Sequence, residues 1–254
     1  MQRRIFLAAG CALAAGCGGG GGGQPAAAPS AAPAASEPAA TASAPATAAS
    51  AAPAAETGPR TDLPDALTGI ALAHPLVVYG DSMAVRLAAA LGRAVGSGVE
   101  SHALGGSPSA TTVQYAATYP AGEQTAVIWT GHNDFTDPAG VLANIARIVG
   151  GLGHARFVVL TLGFEDMPSQ RIGGADRALK EQVNAAIVAA YPGQVIDAPE
   201  LLAGYSNPKA PLDVAAIAAG LTPASLRDDA LHISPLGADL LARQALLLAR
   251  GAGW

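Results

Sequence analysis

The sequence predicts an α/β domain in three layers, a five-stranded parallel sheet covered by helices on both faces. Three observations predict it. Apolar runs of strand length alternate with stretches of helical periodicity, the pattern of successive βαβ units. The first three runs each close on glycine and small polar residues, which is turn composition. The third observation is compositional: from Gly18 to Pro59 nearly every residue is Gly, Ala, Pro, Ser or Thr, with no aromatic or branched aliphatic side chain. Such a stretch cannot offset its ordering entropy by burial, so the core must come from the residues after it.

The elements follow in order. Leu76–Tyr79 is a buried strand that turns at Gly80, Asp81 and Ser82 into a helix over Val85–Val95, and the glycines at 96 and 98 end that pattern. Val99–Leu104 makes a second strand, closed by Gly105, Gly106, Ser107 and Pro108, and Ala126–Thr130 a third, closed by Gly131, His132, Asn133 and Asp134. A helix over Ala139–Leu152 leads to a fourth strand, Arg156–Leu162; a helix over Asp176–Tyr191 leads to a short fifth, Gln194–Asp197. Ala198–Asp228 lacks a strand pattern and reads as an excursion with one short helix near Asp213–Ala219. Pro235–Arg250 closes the chain as a helix, with Ser234 as its N-cap and Pro235 at its first position. Right-handed crossovers put all the strand ends on one edge, so Ser82, Gly106 and Asn133, which follow three different strands, can converge there.

Composition narrows the function. The 254 residues are 50% hydrophobic and 13% charged, with a formal net charge of −5 and no basic run, which excludes a nucleic-acid partner. The two cysteines are Cys11 and Cys17, so the globular part holds no disulfide, thiol nucleophile or cysteine metal site. His74, His102, His132 and His154 are dispersed and no HExxH spacing occurs, so no metal site is expected. His132 reads as a substrate contact or as packing, and Asp134 as a brace for its loop.

Gln2, Arg3 and Arg4 precede an apolar segment, Ile5–Ala15, too short to span a bilayer, which describes a secretory signal. The closing LAAGC resembles a bacterial lipobox, with Ala14 where an aliphatic residue usually stands. Residues 1–16 are therefore expected to be a lipoprotein-type signal peptide, Cys17 the lipidated N-terminus, 17–60 a linker and 61–254 the globular domain. Export follows, with the domain tethered to a membrane facing the periplasm or cell exterior. A flexible coil of about 43 residues spans roughly 35 Å r.m.s..

Ser82, at the carboxyl end of a strand and the start of a helix, sits where open α/β sheets bind ligands; the alternative is that it only caps the helix. A hydrolytic serine needs a base within hydrogen-bond reach and a third group that orients the base. Asp229 and His232, three apart in a loop, supply both. The α/β-hydrolase elbow GxSxG is absent, because GDSMA has Ala84 in its last place.

In order and residues these blocks resemble the SGNH (GDSL-like) hydrolase family from Leu76 to about Leu248. The nucleophile block stands here as GDSM, with Met83 for the usual Leu. The second block is SHALGGSPS, with Ser101 where an Asn often stands; the third is GHND; the last is DALH. The resemblance implies a flavodoxin-like α/β/α sandwich and a cofactor-free carboxylic ester hydrolase. Ser82 takes the nucleophile's place, with Asp229 and His232 beside it. The backbone N–H groups of Ser82 and Gly106 and the amide of Asn133 form the oxyanion hole, with Gly105 as the alternative to Gly106.

GHND, DALHISPLGA and the exported location resemble the carbohydrate-deacetylating members, which implies short acyl groups, possibly O-acetyl on a glycan. Lysophospholipase or thioesterase activity, or a catalytically inactive tethered glycan-binding module, are the alternatives on the same fold. Leu162–Ile172, with Phe164, Glu165, Met167 and Arg171, is the expected pocket wall. Oligomeric state is not legible.

Overall fold

The computed structural model describes residues 68–96 and 99–254. The expected signal peptide, the linker and Cys17 lie outside them. Five strands form one parallel sheet in the order β2-β1-β3-β4-β5: β1 Leu76–Gly80, β2 Val99–Ala103, β3 Thr125–Trp129, β4 Phe157–Leu160 and β5 Val195–Ile196. The chain steps outward from β1 to β2 and then returns to pair β3 on the other side of β1. That reversal makes the β1/β3 boundary the switch point of the sheet, the place where an open α/β fold leaves a crevice beyond its strand ends.

The helices are α1 Ser82–Val95, α2 Ser109–Thr118, α3 Pro138–Gly151, α4 Ala175–Ala190, α5 Ala198–Gly204, α6 Pro211–Ala218 and α7 Pro235–Gly251. Alternation along the strands sorts the core into two halves. Val78, Val127, Trp129, Val158 and Leu160 face Leu87 and Leu91 of α1, Leu202 of α5 and Leu241 and Leu246 of α7. Val77, Tyr79, Ile128 and Val159 face Val141, Ile145 and Ile148 of α3 and Val183 and Ile187 of α4. Each fully buried Leu or Ile contributes about 1.5–3 kcal/mol by leaving water, and β1 and β3, covered on both faces, are buried at every position. The three-layer α/β/α sandwich with a five-stranded parallel sheet is therefore the observed fold.

The differences from expectation have local causes. The first helix begins at Ser82, not Val85, because Asp81 caps it: the Asp81 side chain accepts the Met83 N–H. Ser82 is thus the first helical residue and not the N-cap. Helix α2 was not expected; SATTVQYAAT has little apolar contrast between its faces and three β-branched residues in a row, which weaken helix propensity. The excursion after β5 holds two helices, since Asp197 caps α5 by accepting the Glu200 N–H and Pro199 fits its first turn. β4 and β5 are shorter than the apolar runs that contain them. The Ser234 cap and Pro235 start of α7 are as expected, with Ser234 Oγ accepting the Gly237 N–H.

Candidate active site

The turn that carries Ser82 is compact. Gly80 passes so close to β3 that a Cβ there would stand 1.9 Å from the Trp129 carbonyl oxygen and 2.6 Å from Ala84 Cβ, so only glycine fits. Asp81 follows, wholly buried. Its Oδ1 accepts the Met83 N–H at 3.0 Å, and its Oδ2 accepts the His132 N–H at 3.2 Å and the His132 ring Nδ1–H at 3.0 Å. Burial alone raises the Asp81 carboxyl, but His132 and the hydrogen bonds from His132 and Met83 outweigh it and hold it below the usual carboxylate value. Ser82 comes next, partly exposed, with its N–H at the open amino end of α1 where no intrahelical acceptor exists.

His132 ties that turn to a third strand end. Its Nε2 accepts the Gly163 N–H at 3.1 Å, so the hydrogen-bond network assigns the ring proton to Nδ1, facing Asp81. The ring is 7% exposed and packs edge-on against Trp129. It is a brace inside the protein and not a substrate contact. Its neighbour Asn133 is exposed, and its Nδ2 donates one hydrogen to the Ser107 carbonyl at 3.0 Å, leaving the second hydrogen free. Asp134 braces this loop as expected: its Oδ2 accepts the Ser109 N–H at 3.0 Å and the Ser109 hydroxyl at 2.5 Å.

The Gly105–Gly106 turn lies beside Gly80, fixed by the Leu104 N–H to the Gly80 carbonyl at 3.0 Å and by the Ser107 N–H to the Leu104 carbonyl at 3.2 Å. Gly106 has φ +74°, a left-handed conformation that glycine takes at no steric cost. Gly105 approaches Ser82: a Cβ there would be 3.9 Å from the Ser82 Cβ.

The last part of the site arrives on a hairpin-like loop. Arg227 and Ile233 form an antiparallel bridge, and the Asp228 N–H donates to the His232 carbonyl at 3.0 Å. At the tip Asp229 Oδ1 accepts the N–H groups of Leu231 and His232, both at 2.7 Å. The His232 ring puts Nδ1 3.0 Å from Asp229 Oδ2 and Nε2 3.2 Å from Ser82 Oγ. The hydrogen bond from the His232 ring, then the two N–H bonds, hold the Asp229 carboxyl well below its ordinary value. Its side chain is 52% exposed, and contact with water favours the ionised form as well. Arg86, one turn beyond Ser82 on α1, bonds both the Asp228 carboxylate and, at 2.9 Å, the Ile233 carbonyl, fastening this loop to the helix that begins at Ser82.

Ser82, His232 and Asp229 thus form one hydrogen-bonded line, with Asn133 joined to the turn that carries Gly106. Asp81 and Arg86 were not singled out by sequence reasoning. The spacing of Arg86 four residues after Ser82, on the same face of the helix, is the one signal that points to it. The expected pocket wall is only partly a wall: Phe164 and Glu165 turn inward and are buried, while Met167 is 37% exposed.

No protein-family model matches the sequence, and no curated protein matches it. Solved structures do share the fold. The lipase/acylhydrolase from Enterococcus faecalis is 19% identical, with 70% of this chain and 96% of that one covered and a TM-score of 0.52. The GDSL-like lipase from Bacteroides thetaiotaomicron is 16% identical, with 70% and 88% covered and a TM-score of 0.50. At such identities the likeness is one of fold: this chain has the SGNH (GDSL-like) hydrolase fold.

Proposed function

We propose that the protein is a serine ester hydrolase. The observation that carries this is the line Asp229–His232–Ser82, in which one hydrogen bond joins residues three apart and the other residues 150 apart. In the proposed reaction Ser82 Oγ attacks the ester carbonyl carbon while His232 Nε2 takes its proton. The imidazolium that forms is stabilised by ionised Asp229 and returns the proton to the departing alcohol oxygen as the acyl C–O bond breaks. Water then attacks the acyl-enzyme with His232 again taking the proton, which releases the carboxylic acid and restores Ser82. The carbonyl oxygen, negative in each tetrahedral state, is held by the N–H groups of Ser82 and Gly106 and by the free Nδ2 hydrogen of Asn133. Fixed donors of this kind stabilise the transition state without reorganising.

The substrate we propose is a short acyl ester, an O-acetyl group on a glycan among them. The open setting supports this: Ser82 is partly exposed, Asn133 is exposed, and the His232 side chain is 27% exposed, which leaves room for a bulky alcohol portion. Export as a lipoprotein anchored through Cys17 belongs to the same proposal and would put the site within reach of cell-surface material. Three measurements test it. A fluorophosphonate probe should label wild type at Ser82 and leave Ser82→Ala unlabelled, and aryl acetates should be cleaved faster than long-chain esters; equal cleavage by Ser82→Ala refutes the mechanism. Metabolic palmitate labelling should disappear in Cys17→Ala, and its persistence there refutes the anchor.

A further inference from the structure

One titratable group near the site has no part in that chemistry. Lys180, in the middle of α4, has no exposed surface at all. Each of its three N–H donors is taken: by the Gly163 carbonyl at 3.0 Å, by Glu165 Oε1 at 2.8 Å and by Gln170 Oε1 at 3.0 Å. The ammonium also lies 4.7 Å from the ring centroid of Phe135, two residues after Asn133. Lysine is almost never fully buried unless paired, as Lys180 is with Glu165, and a buried ion pair is often no more stabilising than apolar residues of the same volume. Packing alone does not account for a lysine in this place.

Two of the acceptors, Gly163 and Glu165, lie within residues 163–166, and both ends of that stretch are tied. At one end the Gly163 N–H donates to His132 Nε2, and His132 in turn holds Asp81, the residue before Ser82. At the other end the Asp166 N–H donates at 2.7 Å to the carbonyl of Ala230, which lies between Asp229 and His232. The Asp166 carboxylate adds a second tie, to Arg227 at 3.2 Å. The hydrogen-bonded path therefore closes on itself, running from Ser82 through Asp81, His132, residues 163–166, Ala230 and His232 back to Ser82. Lys180 grips the middle of it from inside, and Gln170 completes the grip by accepting the Glu165 N–H at 2.9 Å and donating to the Glu165 carboxylate.

We propose that Lys180 is a positioning residue for the proposed reaction: by fixing residues 163–166 it sets the spacing between the nucleophile turn and the Asp229–His232 loop, and so the Ser82–His232 contact. This rests on the ester-hydrolase proposal above. Burial pushes the Lys180 ammonium below its ordinary value, and the carboxylates of Glu165 and Asp81 oppose that push, consistent with a cation linked electrically to the nucleophile turn. A lysine that served only the fold would affect stability and leave the reacting pair untouched.

The test is the double variant Lys180→Met with Glu165→Gln, which removes the donors while leaving no buried carboxylate unpaired. With the fold verified by circular dichroism, KM for an aryl acetate should stay within about threefold. The value of kcat and the fluorophosphonate labelling rate of Ser82 should both fall about 10- to 100-fold, the scale of a misplacement near 1 Å. A folded double variant with kcat and labelling rate within about twofold of wild type overturns the proposal. If the double variant does not fold, Gln170→Met decides: a drop of about 3- to 10-fold in kcat at constant KM supports the proposal, and unchanged kcat overturns it. Wild type left unlabelled, or Ser82→Ala labelled equally, would remove the hydrolase proposal and this one with it. Labelled wild type with an undiminished variant removes this one alone.

Discussion

Two Asp–His pairs in this molecule are made from the same bonds. Asp81 accepts the backbone N–H groups of Met83 and His132 and the Nδ1–H of the His132 ring; Asp229 accepts those of Leu231 and His232 and bonds the His232 ring at Nδ1. What differs is burial and the other ring nitrogen. His132 is enclosed and its Nε2 is occupied by the Gly163 N–H, so it can neither take nor give a proton in a reaction. His232 is at the surface and its Nε2 meets Ser82 Oγ. An Asp–His pair is thus a brace, as at His132, or the base proposed at His232, according to what its far nitrogen faces, a property of the fold and not of the two residues.

That comparison can be broken by exchanging the damage. His232→Ala should lower kcat by about 10⁶-fold and leave the melting temperature within a degree or so of wild type, since little packing is lost; a large drop in melting temperature would show that the surface pair is structural too. Asp229→Asn should cost about 10⁴-fold through the wrong ring tautomer, read by the same ester assay. Asn133→Ala removes one oxyanion donor and should cost about 10²- to 10³-fold in kcat.

His132→Ala belongs to the opposite column. It leaves the Asp81 carboxylate buried without its ring partner, a loss of about 3 kcal/mol or more. In a domain of this size that lowers the melting temperature by roughly 6–12 °C, with a smaller effect on kcat than His232→Ala. A differential scanning measurement that found the two histidine variants equally stable would erase the distinction between them.

The smallest effect sharpens the comparison as a control at Tyr79, whose hydroxyl bonds the Tyr119 carbonyl and neither pair. Burial, with Glu100 nearby, pushes the Tyr79 hydroxyl up to about 12, whereas an unfolded tyrosine titrates near ~10. The folded state therefore keeps its proton longer than the unfolded state does, and this contribution to stability is intact below about pH 10 and lost as pH rises toward 12. Tyr79→Phe should remove that alkaline loss, seen in chemical denaturation across the window, and leave ester turnover near neutrality unaltered. A wild type and variant that stay parallel through it would contradict the burial of the hydroxyl.

Much of the site was legible because its signals are local. Gly80, Asp81 and Ser82 encode a strand-to-helix turn within a few residues, and Ser234 with Pro235 encode a helix start. The three-residue spacing of Asp229 and His232 is enough for the carboxylate to reach the ring. Less was legible where position depends on distant partners. Helix α2 is held by Asp134 on Ser109, by Asn144 on the Ser109 hydroxyl at 2.8 Å and by Thr112 against Thr130 at 2.8 Å, none of which its own weakly amphipathic sequence announces. Leu162–Ile172 reads in the sequence as a pocket wall, yet Glu165 turns inward because Lys180, on the next helix, bonds its carboxylate there.

By itself the sequence determined the alternation of strands and helices, the nucleophile's turn, the order of the four blocks and the residues able to form a base and an oxyanion hole. Those follow from turn chemistry, capping and hydrophobic period, which act over a few residues. Only the tertiary structure decided that His132 is sealed inside rather than open to substrate, and that a fully buried lysine holds the chain between the two histidines. Those outcomes depend on contacts between residues distant in sequence, set by how the layers pack and by which polar groups must find partners once water is gone.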